Sequence, residues 1–240
     1  MPQQGNIPDI PLHLAAVQAR IASACAIAGR PPDSVGLLAV SKTFGADAVR
    51  AAHAAGQRRF GENYLQEAIA KQLALADLDL EWHFIGPIQT NKTRDLAAHF
   101  NWVHGVDRLK IAQRLSDQRP TSLPPLQVCV QVNISGEASK SGCTVAEAPA
   151  LCAAVAQLPH LRLRGLMAIP AAPAPEADAR APFRALRELH TRIAAELGAG
   201  FDTLSAGMSD DLEAAIAEGT TLVRVGSAIF GARQPPARLR

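Results

Sequence analysis

The run LLAVSKTF, residues 37–44, carries a buried-strand pattern straight into a charged amine, Lys42. A lysine is almost never buried without a partner, so one at a strand end either snorkels to water or is kept there for its amine. Two later segments bear on that choice. LSAGMSDD places the hydroxyl of Ser205 and a glycine ahead of a helix that Ser209 is positioned to cap, and VRVGSAIFG places Gly226 and Ser227 just after a strand. Such turns suit an anion, because backbone N–H groups and hydroxyls are offered where no side chain blocks the approach. Arg224 stands two residues before Gly226, and period-two alternation puts both on one face of the strand. An amine opposite an anion site is equipped to form a Schiff base with a phosphorylated carbonyl compound.

These residues meet only if the chain brings their strand ends together. DIPLHLAAVQARIASACAIAG has helical apolar spacing and stops at Gly29, before Arg30-Pro31-Pro32. Strand and helix then alternate: VGLLAVSK and ADAVRAAHAAG, RRFGEN and YLQEAIAKQLALAD, EWHFIG and IQTNKTRDLAAH, NWVHGVD and RLKIAQRLSDQ. The rhythm continues through LQVCVQVNI, VAEAPALCAAVAQL, LRLRGLMAIP, APFRALRELHTRIAAELG, DTLSAG, SDDLEAAIAEG and TLVRVGSAIFG. Alternation of this kind predicts a parallel sheet. Eight units over 240 residues predict a closed (β/α)8 TIM-type barrel with an extra N-terminal helix, for which ~250 residues is typical. No G-x-G-x-x-G follows the first strand, which argues against a doubly wound sheet. The stretch AIPAAPAPEADARAP reads as a long βα loop, because the rhythm resumes beyond it. Residues 1–240 are therefore expected to form one domain, with a core over about 10–233 and a tail at 234–240.

In such a barrel the site is built at the C-terminal strand ends. Read in order, those ends offer Lys42, Asn63, His83 with Gly86, His104, Asn133, Met167, Ser205, and Arg224 with Gly226. Convergent polar groups of this kind mark a binding pocket, and phosphate sites recur in the loops after strands seven and eight. Two ligands fit: a sugar phosphate, as in a class I aldolase, or pyridoxal 5′-phosphate (PLP). Arg224 bears on the choice, since an Asp or Arg partner at the ring nitrogen is a feature of PLP sites. The plainer alternative is an arginine paired with a carboxylate in a polar barrel layer.

With Lys42, FGENYLQE, WHFIGPIQTNK, GLMAI and LSAGMSDDLEAAIAEGTTLVRVGSAIFGAR on the page, the chain resembles the pyridoxal phosphate homeostasis protein family (YggS/PROSC) over about residues 10–233. The resemblance implies a PLP-bound barrel similar to the N-terminal domain of alanine racemase, without that enzyme's second β-domain. It implies Lys42 as the Schiff-base lysine, Ser205, Gly226 and Ser227 around the phosphate, Arg224 near the ring nitrogen, and Asn63 and Met167 lining the pocket. Two departures stand out: Phe44-Gly45 where the family usually has Lys-Pro, and Ala206 where it has methionine.

The expected activity is PLP homeostasis, meaning storage and carriage of PLP to PLP-dependent apo-enzymes. A fixed positive charge at the ring nitrogen weakens the ring as an electron sink, and a racemase needs a second base across from the lysine. The alternatives are an amino-acid racemase and a PLP-free Schiff-base aldolase. The single tyrosine, Tyr64, opens a helix and is expected to pack structurally. His83 and His104 end strands, where a cofactor contact and a hydrogen-bonded core role are both open, and Lys140 is read as a solvated loop residue.

A net charge of +2 with 19% charged residues gives no argument for nucleic acid. No run approaches ~18 uninterrupted apolar residues, so no membrane span is expected, and MPQQGNIPDIP has no secretory pattern. Four cysteines without metal spacing point to small core residues in a reducing cytoplasm. Lack of the second domain favours a monomer.

Overall fold

A computed structural model describes residues 9–137, 140–171 and 178–231. The opening MPQQGNIP, residues 172–177 of the Pro/Ala stretch and the basic tail lie outside the described residues. Helix α1 (Ile10–Ile27) precedes eight strand-and-helix units: β1 (Gly36–Val40), α2 (Ala46–Ala54), β2 (Arg59–Glu62), α3 (Leu65–Ala74), β3 (Glu81–Phe84), α4 (Thr93–His99), β4 (Trp102–Val106) and α5 (Leu109–Gln118). The second half supplies β5 (Leu126–Gln131), α6 (Ala148–Ala156), β6 (Leu161–Met167), α7 (Ala181–Leu197), β7 (Thr203–Ser205), α8 (Leu212–Ala217), β8 (Leu222–Val225) and α9 (Ser227–Phe230). All eight strands are parallel, and β1 closes onto β8 with Gly36 opposite Leu222 and Ala39 opposite Val225. The (β/α)8 barrel expected from the alternation is the architecture observed.

Alternation along each strand divides the core in two. Ala39, Phe60, Val103, Val128, Val130, Leu204, Val223 and Val225 face the helices in one continuous buried cluster. Leu38, Val40, Ile85 and Leu222 fill one side of the barrel interior, and Trp102, Cys129 and Met167 form a second interior group. Burial of each large apolar side chain contributes about 1.5–3 kcal/mol. The rest of the interior is polar.

Helix α1 is stabilised at its start by the Asp9 carboxylate, which accepts from the Leu12 N–H at 3.1 Å. Its residues Ile10, Leu14, Val17 and Ile21 form a buried stripe at three- and four-residue spacing, and the helix packs on α8 and α9. By length and composition α1 is apolar enough to cross a membrane. Here it docks on the barrel and carries Arg20, which pairs with Glu213 of α8 at 2.9 Å.

Candidate functional site

A cavity of about 230 Å³ opens at the C-terminal mouth of the barrel. Its polar lining is Lys42, Asn63, Ser209, Asp210, Arg224, Gly226 and Ser227, and its apolar walls include Val40, Phe44, Ile85, Ile169 and Met208. Five of the seven residues singled out by the sequence (Lys42, Asn63, Arg224, Gly226 and Ser227) thus reach one pocket.

Lys42 stands on a turn rather than at the end of the strand. The sequence pattern extends β1 to Lys42, but the strand stops at Val40 and Ser41-Lys42-Thr43 turn away, with the Phe44 N–H donating to the Ser41 carbonyl at 3.1 Å. Thr43 has φ 70°, a left-handed conformation that disfavours a β-branched residue. Charged groups hold this turn. Lys71 Nζ, 5% exposed, donates to the Ser41 carbonyl at 2.7 Å and to Glu62 Oε1 at 2.7 Å. The Ser41 hydroxyl donates to the same Glu62 oxygen at 2.6 Å, and the Thr43 N–H donates to Glu67 Oε1 at 2.6 Å. Burial pushes the Glu62 carboxyl above its ordinary range, opposed by Lys71. Both backbone ends of Lys42 are therefore tied to α3 and β2. Nothing in the local sequence around Lys42 announces Glu62, Glu67 or Lys71, although the i, i+4 spacing of Glu67 and Lys71 suits a helix-surface pair.

The same pocket is lined by the hydroxyls of Ser209 and Ser227, with their Oγ atoms 3.2 Å apart. The sequence reading of Ser209 as a helix cap is corrected by the structure. Asp211 occupies the N-cap position of α8, and Ser209 lines the pocket instead. The reason is a turn in which the Asp211 carboxylate accepts from the Met208 N–H at 2.6 Å, which moves the helix start downstream. Helix α1 braces both loops: Arg20 Nη2 donates to the Ser209 carbonyl at 2.9 Å, and His13 Nδ1 lies 3.2 Å from the Ile229 carbonyl. A Cβ at Gly226 would stand 3.1 Å from the Val40 carbonyl of β1, a tight contact that favours glycine there. Gly86 is required more strongly, since a Cβ would come within 2.6 Å of the Asn63 carbonyl. Asn63 Oδ1 is buried there with no hydrogen-bond partner among the described residues.

Arg224 forms part of the pocket wall and is itself 4% exposed. Burial lowers its guanidinium pKa to about 10, against the opposing pull of Asp211. Nη1 donates to Ser205 Oγ at 2.8 Å and Nη2 to the Ala168 carbonyl at 2.9 Å. Ser205 is fully buried beneath Arg224 rather than on the pocket wall. Met167 is likewise fully buried, packed with Trp102 and Cys129 inside the barrel. His83 and His104 lie deeper still in the interior and meet each other at 2.9 Å.

The two departures from the family pattern are accommodated. Phe44 packs on Phe230 with ring centroids 5.2 Å apart and lines the pocket mouth. Ala206 is buried in the shell between sheet and helices, away from the pocket. Tyr64, expected to pack, is 52% exposed at the start of α3. Lys140 Nζ is 3.3 Å from the Ile169 carbonyl and lines a second, adjoining groove with Asn63 and Gln131.

Comparison with known proteins agrees with the barrel fold. Residues 12–234 match the family model described as alanine racemase, N-terminal domain. The pyridoxal phosphate homeostasis protein of Pseudomonas aeruginosa is 67% identical over 221 residues, covering 92% of this chain and 94% of that protein. The chain belongs to the pyridoxal phosphate homeostasis protein family. The Escherichia coli K12 member is 54% identical over 94% of this chain and 97% of its own length. PipY of Synechococcus elongatus PCC7942, solved with PLP bound, superposes with a TM-score of 0.80 at 38% identity, covering 92% of this chain and all of that one. Alanine racemase from Corynebacterium glutamicum shares the barrel alone, with a TM-score of 0.64 at 20% identity over 63% of its chain. For this family member, the barrel accounts for nearly the whole length of its relatives.

Proposed function

We propose that this chain binds PLP, holds it as a Schiff base on Lys42, and hands it to PLP-dependent apo-enzymes in the cytoplasm. One observation carries the reading: an amine, a pair of hydroxyls and a buried guanidinium line a single pocket. That donor set matches an aldehyde, a phosphate and a pyridine ring, and the unpartnered Asn63 oxygen supplies an acceptor beside them. Bound PLP brings an aldehyde and an electron-accepting ring. Lys42 would hold the aldehyde, Ser209, Gly226 and Ser227 would hold the phosphate, and Arg224, a fixed cation, would disfavour a protonated ring nitrogen. Ser205 and Met167 support the pocket from beneath, Ser205 by accepting from Arg224. The four cysteines are free and buried, which suits a reducing compartment.

The test is direct. Purified protein loaded with PLP should be yellow, and borohydride should fix the cofactor to the peptide bearing Lys42. Lys42→Ala should lose that colour. Gly226→Asp should abolish binding, by placing a Cβ against Val40 and a negative charge where the phosphate sits. Colourless protein that takes up no added PLP would overturn the assignment and favour the aldolase reading.

A further inference from the structure

Barrel interiors are ordinarily filled by branched apolar side chains. This one instead contains an unbroken polar line running from the pocket floor to the opposite, N-terminal end of the strands. Arg224 of β8 donates to Ser205 at the end of β7 at 2.8 Å. Ser205 Oγ lies 3.0 Å from His104 Nδ1 of β4, and His104 Nε2 lies 2.9 Å from His83 Nδ1 of β3. His83 Nε2 ends the line on Glu81 Oε1, the first residue of β3, at 2.8 Å. Ser205, His83 and His104 are at most 1% exposed.

Donor bookkeeping gives this line one direction. A carboxylate only accepts, so neutral His83 carries its proton on Nε2 and donates it to Glu81, leaving Nδ1 as an acceptor. His104 by the same logic carries its proton on Nε2 and donates it to His83 Nδ1. His104 Nδ1 then accepts from the Ser205 hydroxyl, which in turn accepts from the Arg224 guanidinium. Every bond is satisfied with both imidazoles neutral, a cation at the pocket and an anion at the far end. Burial holds both histidines below their ordinary pKa, with His83 and Arg224 adding to the effect at His104. The hydrogen bond from His83 holds the Glu81 carboxyl below its usual range. His83 also stacks on Trp102 with ring centroids 5.2 Å apart and planes 9° apart, which fixes its ring.

We propose that Glu81, His83, His104 and Ser205 act as one positioning line that sets the orientation of Arg224, so that a carboxylate at the far end of the barrel tunes the ligand pocket. The ligand end of this inference rests on the PLP reading above. Replacing so polar an interior with apolar side chains would often be neutral or stabilising, and its termination at the pocket-lining arginine accounts for its presence. The other charged groups around the line are Arg59, 3.3 Å from Glu81, and Arg164, which lies over Trp102 and pairs with Asp202. Cys129, also in this interior, is kept a neutral thiol by burial.

The experiment has a ligand-free arm and a loaded arm. In ligand-free protein with ¹⁵N-labelled histidine, NMR should show His83 and His104 still as neutral Nε2–H tautomers at pH values below the ordinary histidine pKa. Glu81→Leu removes the final acceptor and should abolish that single tautomer at both rings, whereas Glu81→Gln keeps an acceptor and should preserve it. In PLP-loaded protein, Glu81→Leu should shift the cofactor absorption band and weaken PLP binding ~3–10-fold, the scale of one misdirected charge-assisted hydrogen bond. Glu81→Gln should retain most of the affinity, which separates the line from a general loss of fold. Unchanged tautomers in Glu81→Leu would overturn the line itself. Lost tautomer order with an unchanged spectrum and affinity would overturn its positioning role. Failure of the wild type to take up PLP would instead overturn the functional reading, while the ligand-free arm still judged the line.

Discussion

At the scale of single residues, the pocket depends on groups that never touch it. Glu62 is fully buried, and its charge is tolerable because Lys71 and Ser41 meet one of its oxygens. Lys71→Met would leave that carboxylate with the Ser41 hydroxyl but no charge partner, at a cost of about 3–5 kcal/mol, measured as a lower urea midpoint. A carboxyl whose folded pKa lies above its unfolded value binds more protons when folded, so stability falls as pH rises through that window. The Lys71→Met defect should therefore shrink at acid pH, and Glu62→Gln in the same chain should recover part of it. An equal loss at every pH would show that Glu62 is not the affected group. The same substitution should slow PLP capture, since Lys71 also holds the Ser41 carbonyl beside Lys42.

At the scale of elements, the extra helix α1 acts as a brace for the two loops that carry Ser209 and Ser227. Its apolar stripe anchors it to α8 and α9, and Arg20 reaches the Ser209 carbonyl while paired with Glu213. An ion pair this exposed stabilises by only about 0–1 kcal/mol. Arg20→Ala should thus leave the melting temperature almost unchanged. It should weaken PLP binding by about 2–5-fold, as expected when a loop loses about half a kcal/mol or more of preorganisation. Titration of PLP into both proteins checks this, and a large fall in stability with intact binding would reverse the assignment.

At the scale of the molecule, one barrel carries the whole pocket, and the question is which bonds it leaves intact. Two-base racemisation of an amino acid needs a base on each face of the ring. Lys42 is one candidate, and the only tyrosine, Tyr64, lies half-exposed in a neighbouring groove with Pro87, Gln89 and Lys92 rather than in the pocket lining. The expected outcome is no enzymatic racemisation of any amino acid, monitored by the loss of optical rotation of an L-amino acid. General-base catalysis contributes about 10²–10⁴-fold, so a true racemase would be plain in the same assay. Sustained racemisation that Tyr64→Phe abolishes would make Tyr64 the second base.

Much of this was legible in the chain because it is periodic or local. Strand-and-helix alternation carries the barrel, since a parallel strand needs a crossover helix. The strand-end positions of Lys42, Asn63, Arg224 and Gly226 place them on one rim for the same reason. The glycine–serine turn after β8 marks Ser227. Contacts between units were not legible, because residues distant in sequence carry no local signature of meeting. Ser209 read as a helix cap until the Asp211 turn moved the start of α8. Ser205 and Met167 read as rim residues, yet both are fully buried away from the pocket lining, because a strand's last inward side chain can point below the rim as easily as into it. The Lys71–Glu62 brace joins α3 to β2, and the Glu81-to-Arg224 line joins β3, β4, β7 and β8. Only closure of the barrel decides those partners, since buried polar groups must find hydrogen bonds wherever the packing puts them.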